Sequence, residues 1–118
     1  MEQPRRVAAL TTASQCRIER VDATGAIHVD GEIDVSSSMW VADALVRSID
    51  GASDDGIITL DLSQVAFIDA SGLGALVEAR NAARARGCEL RVVDPSPRVR
   101  RIIDLTDTAS MFEVASSP

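Results

Sequence analysis

Two aspartates stand at the ends of short apolar segments, in a pattern that can serve acid–base chemistry or Mg²⁺ binding. Asp34 closes residues 31–34 and is followed by a valine and three serines, and Asp69 lies within residues 67–73, Phe-Ile-Asp-Ala-Ser-Gly-Leu. Carboxylates at the ends of two neighbouring strands meet at one rim of a sheet, where they can exchange protons or coordinate a hard cation. The pair is therefore the first candidate for a catalytic or metal site.

The rest of the sequence lacks the groups that would complete such a centre. It contains no lysine, a single histidine inside a predicted strand (His28), and no glycine-rich loop of the phosphate-binding type. Cys16 and Cys88 are too far apart for a zinc-binding pattern and are interpreted as two buried thiols. We therefore predict no catalytic residue, no metal and no cofactor. Asp34 and Asp69 are interpreted as residues of a binding surface, or as capping or solvated groups.

The elements that must position the two aspartates follow from the spacing of the apolar residues. Short runs of β-branched and apolar residues predict strands, and apolar residues three and four apart predict helices. Serine or proline at a helix start and glycine after its end set the boundaries. The predicted strands cover residues 16–20, 26–29, 57–62, 89–93 and 111–114, a short apolar segment covers 65–68, and the predicted helices cover about 37–49, 72–86 and 97–105.

The order of these elements predicts an α/β fold. The first two strands are expected to form an antiparallel hairpin, with a glycine-containing turn between them. Beyond the hairpin, strands and helices alternate, which is typical of a sheet with mostly parallel pairing and flanking helices. The strand at residues 57–62 is expected to lie at the centre of the sheet and to be buried on both faces.

Composition and charge restrict the domain count and the kinds of partner. A chain of 118 residues suits one domain, expected over residues 15–118, after a flexible leader at residues 1–14. The net charge of −6 opposes binding to nucleic acid and to anionic lipid. No uninterrupted apolar stretch approaches the roughly 20 residues that span a bilayer, so a cytoplasmic location is expected.

A small basic cluster, Arg98, Arg100 and Arg101, opens the third predicted helix. Guanidinium groups in such a cluster suit a nucleotide phosphate or an acidic protein surface. A cluster of this kind more often forms a solvated helix face, and both readings stay open at this point.

Four spaced motifs, in their order along the chain, resemble the STAS domain of anti-sigma factor antagonists. The motifs are Gly31-Glu32-Ile33-Asp34, Leu60-Asp61-Leu62-Ser63, Phe67-Ile68-Asp69-Ala70-Ser71-Gly72-Leu73-Gly74 and Pro95-Ser96-Pro97-Arg98-Val99. The resemblance runs from about residue 16 to residue 114. It implies a mixed sheet flanked by helices, and a protein that captures an anti-sigma factor, often a serine kinase, and so frees a sigma factor for transcription.

The resemblance also implies a phosphorylation switch, from which this sequence departs. In the family the modified hydroxyl directly follows the aspartate of the third motif, at the start of the second helix. Here that position is Ala70, and the next residue, Ser71, matches the family's second hydroxyl. We expect Ser71 to cap a helix that begins near Gly72, and we keep it as the candidate phosphorylation site. The usual phosphoserine switch is expected to be absent.

Two functional hypotheses from different classes follow. The first is an antagonist that binds an anti-sigma factor as a monomer or weak dimer, without nucleic acid or membrane. The second is a non-switching scaffold or accessory subunit of a stress-signalling or lipid-transport complex. An enzyme is the least favoured reading. The expected partner-binding residues are Asp34, Asp69, Ala70, Ser71, Gly72 and Leu73.

Overall fold

A computed structural model describes residues 7–13, 16–21, 26–51, 56–106, 108 and 112–115. It contains a six-stranded sheet in which the spatial order of the strands is their order in the chain. The elements are β1 (Val7–Ala13), β2 (Cys16–Val21), β3 (Ile27–Ile33), α1 (Ser38–Asp50), β4 (Ile57–Ile68), α2 (Ala70–Ala85), β5 (Glu89–Val93), α3 (Pro97–Leu105) and β6 (Glu113–Ala115).

The pairing directions confirm the predicted α/β class. β1, β2 and β3 pair antiparallel, and β3, β4, β5 and β6 pair parallel. The expected opening hairpin corresponds to β2 and β3. The prediction of an irregular leader is wrong for residues 7–13, because they form β1 and extend the sheet by one strand. The other residues of that leader lie outside the described part, and a single domain over 15–118 stays a prediction.

Strand β4 differs from its prediction in length and in burial. The segments expected at 57–62 and 65–68 are one continuous strand of 12 residues. Its apolar residues alternate with partly exposed ones, so the expectation of burial on both faces is wrong. The physical reason is that one face of the strand joins the core, while Thr59 and Asp61 point to the other face. His28 of β3 lies next to Asp61, and the distance between Nδ1 of His28 and Oδ2 of Asp61 is 3.4 Å.

All three helices contribute to a single hydrophobic core with the sheet. The largest side chains with almost no exposure lie on β2, β3, β4, β5, α1 and α2, and burial of each stabilises the fold by roughly 1.5–3 kcal/mol. They are Ile18, Ile27, Val29, Ile33, Val41, Leu45, Ile49, Leu60, Leu62, Val65, Leu76 and Val92.

The C-terminal end of α1 is held by two arginines from other elements. Arg20 of β2 donates from Nη1 to the carbonyl of Ser48 at 3.3 Å, and Arg86, after α2, donates to the carbonyl of Ile49. The last carbonyls of a helix lack partners within the helix and carry partial negative charge, which guanidinium groups satisfy. These contacts fix α1 relative to both β2 and the end of α2.

Candidate functional site

The candidate site begins where β3 and β4 end side by side. Ile33 of β3 is registered with Ile68 of β4, so the next residues, Asp34 and Asp69, leave the sheet at the same rim. The backbone N–H of Asp69 donates to the carbonyl of Ile33 at 3.3 Å. The parallel pairing therefore brings the two predicted aspartates to one corner of the molecule.

Asp34 organises the turn between β3 and α1. Its Oδ1 accepts from the backbone N–H of Ser36 at 3.0 Å and from the Ser36 hydroxyl at 2.6 Å, and lies 3.4 Å from the Ser37 hydroxyl. These donors, the Ser36 hydroxyl above all, lower the pKa of the half-buried Asp34 carboxyl. The carboxylate is thus charged and already occupied as a local hydrogen-bond acceptor.

Ser37 has a different role from the helix cap that the three serines suggested. Its side chain makes no capping bond to α1. Instead the buried hydroxyl accepts from the backbone N–H of Asp34 at 3.1 Å and lies 3.3 Å from the carbonyl of Glu32, to which it donates. The hydroxyl faces back towards the end of β3, so it closes the turn and leaves the first turn of α1 without a side-chain cap.

Asp69, and not Ser71, caps α2. Its Oδ1 accepts from the backbone N–H of Gly72 at 3.0 Å, and the helix begins at Ala70. The expectation that Ser71 caps a helix beginning near Gly72 is therefore wrong. The reason is one of register: Asp69 has extended backbone and stands three residues before Gly72, as an N-cap requires, whereas Ser71 already lies within the helix.

Gly72 lies where α2 comes closest to the sheet. A Cβ atom at this position would stand 2.5 Å from the carbonyl oxygen of Ile33 and 2.7 Å from Cγ1 of Ile68. Such distances are shorter than van der Waals contact, and the first of these atoms is backbone that cannot rotate away. The absence of a side chain at Gly72 therefore allows the first turn of α2 to rest on the ends of β3 and β4.

The remaining predicted site residues on this turn differ in exposure. Ala70 is exposed, Ser71 is half-buried and Leu73 is buried in the core. In the part of the chain that the structure describes, the Ser71 hydroxyl forms no hydrogen bond. The turn thus presents Ala70 and Ser71 outward, while Leu73 and Gly72 hold it against the sheet.

A surface groove between α1 and α2 was not foreseen from the sequence. We call it the α1–α2 groove, and it is lined by Ser38, Met39, Ala42, Asp43, Val46, Ser71, Gly74, Ala75 and Glu78. Met39 is 86% exposed, and nearby Val35 is 76% exposed. Asp43 and Glu78 add negative charge. The sequence contains one sign of this groove: Met39 is an apolar residue outside the buried stripe of its own helix.

The two aspartates and the two cysteines are engaged within the fold. No group of three or more histidine, cysteine, aspartate or glutamate side chains within them is arranged to hold a metal ion. The carboxylates of Asp34 and Asp69 accept hydrogen bonds from their own turns. Burial raises the pKa of the Cys16 thiol to about 11. None of the helices within the described ranges is long and apolar enough to cross a membrane.

The fold and this corner define a class of protein: a small mixed α/β domain that holds an exposed helix N-terminus at the ends of two parallel strands. The model of the STAS domain family matches residues 15–118. The chain belongs to the STAS domain family.

Individual relatives agree in sequence and in fold. The chain is 31% identical over 88 residues to a protein of Listeria monocytogenes named anti-sigma-B factor antagonist, covering 75% of each chain. It is 25% identical in sequence to an anti-sigma factor antagonist from Mycobacterium paratuberculosis, whose crystal structure superposes with a TM-score of 0.68 over 91% of this chain and 86% of that one. The anti-sigma factor antagonist SpoIIAA in its unphosphorylated form, at 18% identity, shares the fold with a TM-score of 0.64 over 93% of this chain and 87% of that one.

Proposed function

We propose that this protein is an anti-sigma factor antagonist that binds its anti-sigma factor through the corner formed by the Asp34 turn and the N-terminus of α2, and that it lacks the usual phosphoserine switch. The observation that carries the proposal is the outward position of Ala70 at the first turn of α2. The names of the relatives in Listeria monocytogenes and Mycobacterium paratuberculosis support the general role.

The surface at this corner combines exposed apolar side chains with a backbone that hydrogen bonds hold in place. Met39 and Val35 expose large apolar side chains beside the corner, and interfaces gain most of their energy from a few such anchors. The Asp34 turn and the capped start of α2 are both held by hydrogen bonds. A partner therefore meets a surface that is already ordered, so binding does not require the protein to order these turns.

A phosphate at the first turn of α2 would change the electrostatics of the binding surface. Phosphorylation adds a charge of about −1.5 to −2 near neutral pH. At the first turn of α2 this charge would be added beside Asp34 and the acidic α1–α2 groove, where it would disfavour an apolar or acidic partner. Ala70 has no hydroxyl to accept a phosphate. The protein is therefore competent to bind its partner whether or not the partner is a kinase.

The first experiment combines size-exclusion chromatography with intact-mass spectrometry. The protein is incubated with ATP and an anti-sigma kinase from its own source, and the complex and the mass of the chain are followed together. We expect a stoichiometric complex without a phosphate mass gain. The A70S variant is expected to gain one phosphate and to release the partner, because it restores a hydroxyl at the position of the switch.

Ser71 is tested in the same experiment. A phosphate gain in the wild-type chain that disappears in S71A and that dissociates the complex would show that the switch has moved by one residue, and would overturn the proposed loss of regulation. Self-assembly of the chain, with no binding to any anti-sigma factor, would instead favour a scaffold.

The location of the surface is tested with a matched pair of charge substitutions. M39E introduces a carboxylate beside the corner, and N81E introduces the same charge at an exposed position almost three turns along α2 from Ser71. We expect M39E to weaken partner binding by about tenfold or more, which corresponds to the loss of one apolar anchor worth about 1.4 kcal/mol. N81E is expected to bind like the wild type. Equal weakening of partner binding by M39E and N81E would contradict the location of the binding surface at this corner.

A further inference from the structure

We infer that the outer face of α3 is a second docking surface, which binds an acidic protein segment that carries an apolar anchor. The surface, here called the α3 patch, is a shallow cleft lined by Pro95, Pro97, Arg98, Arg100, Arg101, Asp104 and Leu105. None of these residues belongs to the corner or to the α1–α2 groove. The inference does not rest on the proposed function.

The arginines of the α3 patch do not serve the fold. All three are exposed, and within the described ranges none of their guanidinium groups forms a hydrogen bond or an ion pair. They stand in the first two turns of α3, and no acidic residue occupies the first turn. Positive charge near a helix N-terminus opposes the helix dipole, so this placement costs stability instead of adding to it.

The N-cap and the inner face of α3 hold the helix, and with it the arginines, in place. Ser96 accepts from the backbone N–H of Val99 and donates to the carbonyl of Val65 at 2.7 Å, and Val99 and Ile103 are buried. The inner face of α3 is thus anchored to β4 and the core. The outer face is displayed on a helix that a partner does not have to order, which lowers the entropic cost of binding.

The chemistry of the patch points to an acidic protein segment. Guanidinium groups pair with carboxylates in two-pronged geometry, and three of them stand within four residues on a chain whose net charge is −6. Leu105 is 73% exposed and lines the same cleft as Pro95 and Pro97, so the cleft also offers apolar contact. Nucleic acid and anionic membranes would present extended negative charge to the whole chain, which its net charge of −6 repels, whereas a short acidic segment carries few charges and can pair with the three arginines locally. An acidic segment with a leucine-type side chain fits both features.

The test measures fluorescence anisotropy of a labelled synthetic helical peptide that carries glutamates on one face and leucines on the other. We expect it to bind the full chain, and to bind the variant R98Q/R100Q/R101Q at least tenfold more weakly, with a similar direction of change for L105S. The matched control is R47Q/R80Q/R84Q, which removes three arginines from α1 and α2 and is expected to bind like the wild type.

Several outcomes would overturn the inference. These are no measurable binding, equal weakening by the control triple variant, and equal binding of a peptide in which serines replace the leucines. Tighter binding of a single-stranded oligonucleotide than of the peptide would assign the patch to nucleic acid. Self-association of the wild-type chain in sedimentation velocity that R98Q/R100Q/R101Q abolishes would assign the patch to a second copy of this chain.

Discussion

At the scale of single residues, two glycines two positions apart on α2 have opposite expected responses to the same substitution. G72A would place a Cβ atom against the carbonyl of Ile33, and we expect it to lower the free energy of unfolding by about 2 kcal/mol or more. G74A meets nothing within 4 Å and is expected to raise it by roughly 0.5–1 kcal/mol, because alanine favours a helix. Urea denaturation measures both, and equal effects would contradict the close approach at Gly72.

The assignment of the α2 cap makes a second prediction at this scale. D69A removes the acceptor of the Gly72 N–H and is expected to lower the free energy of unfolding by about 1 kcal/mol. D69N keeps an acceptor oxygen, so we expect it to lower the free energy of unfolding by only a few tenths of a kcal/mol. S71A is expected to change stability by less than about 0.5 kcal/mol. A larger loss of stability from S71A than from D69A would indicate that Ser71, and not Asp69, caps α2. All three values follow from chemical denaturation.

The sequence predicts the position of the two aspartates of the corner, but not the roles of the hydroxyls around them. Asp34 and Asp69 could be placed together because each ends a strand, and the ends of neighbouring parallel strands share a rim. The cap on α2 could not be decided, because Asp69 and Ser71 are both good N-cap residues and differ only in which one has extended backbone. Ser37 was missed for a similar reason: its hydroxyl oxygen can accept a backbone N–H either from α1 or from Asp34, and only the backbone path selects between these two donors.

At the scale of elements, the turn from β3 to α1 couples hydrogen bonding to charge. The Ser36 hydroxyl is the main reason that the pKa of Asp34 is lowered, so S36A is expected to raise that pKa towards its ordinary value. The hydroxyl of Ser38, on the same segment, forms no hydrogen bond to the Asp34 carboxylate within the described residues, so S38A is the matched control. A carboxyl-detected NMR titration of the two variants and the wild type measures the pKa directly.

The pH dependence of this turn follows from the direction of the shift. A carboxyl whose pKa is lower in the folded than in the unfolded state stabilises the fold above the unfolded pKa, and this contribution is lost as pH falls through the folded pKa. S36A is therefore expected to reduce the loss of stability on acidification. An unchanged Asp34 pKa in S36A would contradict the role of the hydroxyl.

The elements themselves were largely predictable, with two instructive failures. The polar residues near position 63 suggested that β4 is interrupted there. The strand is continuous, because partly exposed positions along one face of a strand tolerate polar side chains. β1 was missed because its threonines and alanines give no clear alternation, and its pairing with β2 decides its conformation. In both cases pairing with the neighbouring strand determines the extended conformation, and the local sequence pattern does not show this pairing.

At the scale of the whole molecule, the two cysteines report on the integrity of the core. Cys16 is 4% exposed and Cys88 is 6% exposed, and they lie on β2 and just before β5. We expect neither thiol to react with a thiol-specific reagent near neutral pH until the chain is unfolded in urea. M39C, at an exposed position, is the control and is expected to react at once. Rapid reaction of the native wild-type chain would show that one edge of the sheet opens locally.

The pairing of Ile33 with Ile68 also has a kinetic consequence. It joins segments separated in sequence by the whole of α1, so it is a non-local contact, and proteins rich in such contacts fold slowly. The corner that carries Asp34, Ala70 and Gly72 comes into being only when that contact forms. A substitution deep in the core that slows folding or lowers stability therefore reduces the number of molecules that present the corner in the cell, without altering any residue on its surface.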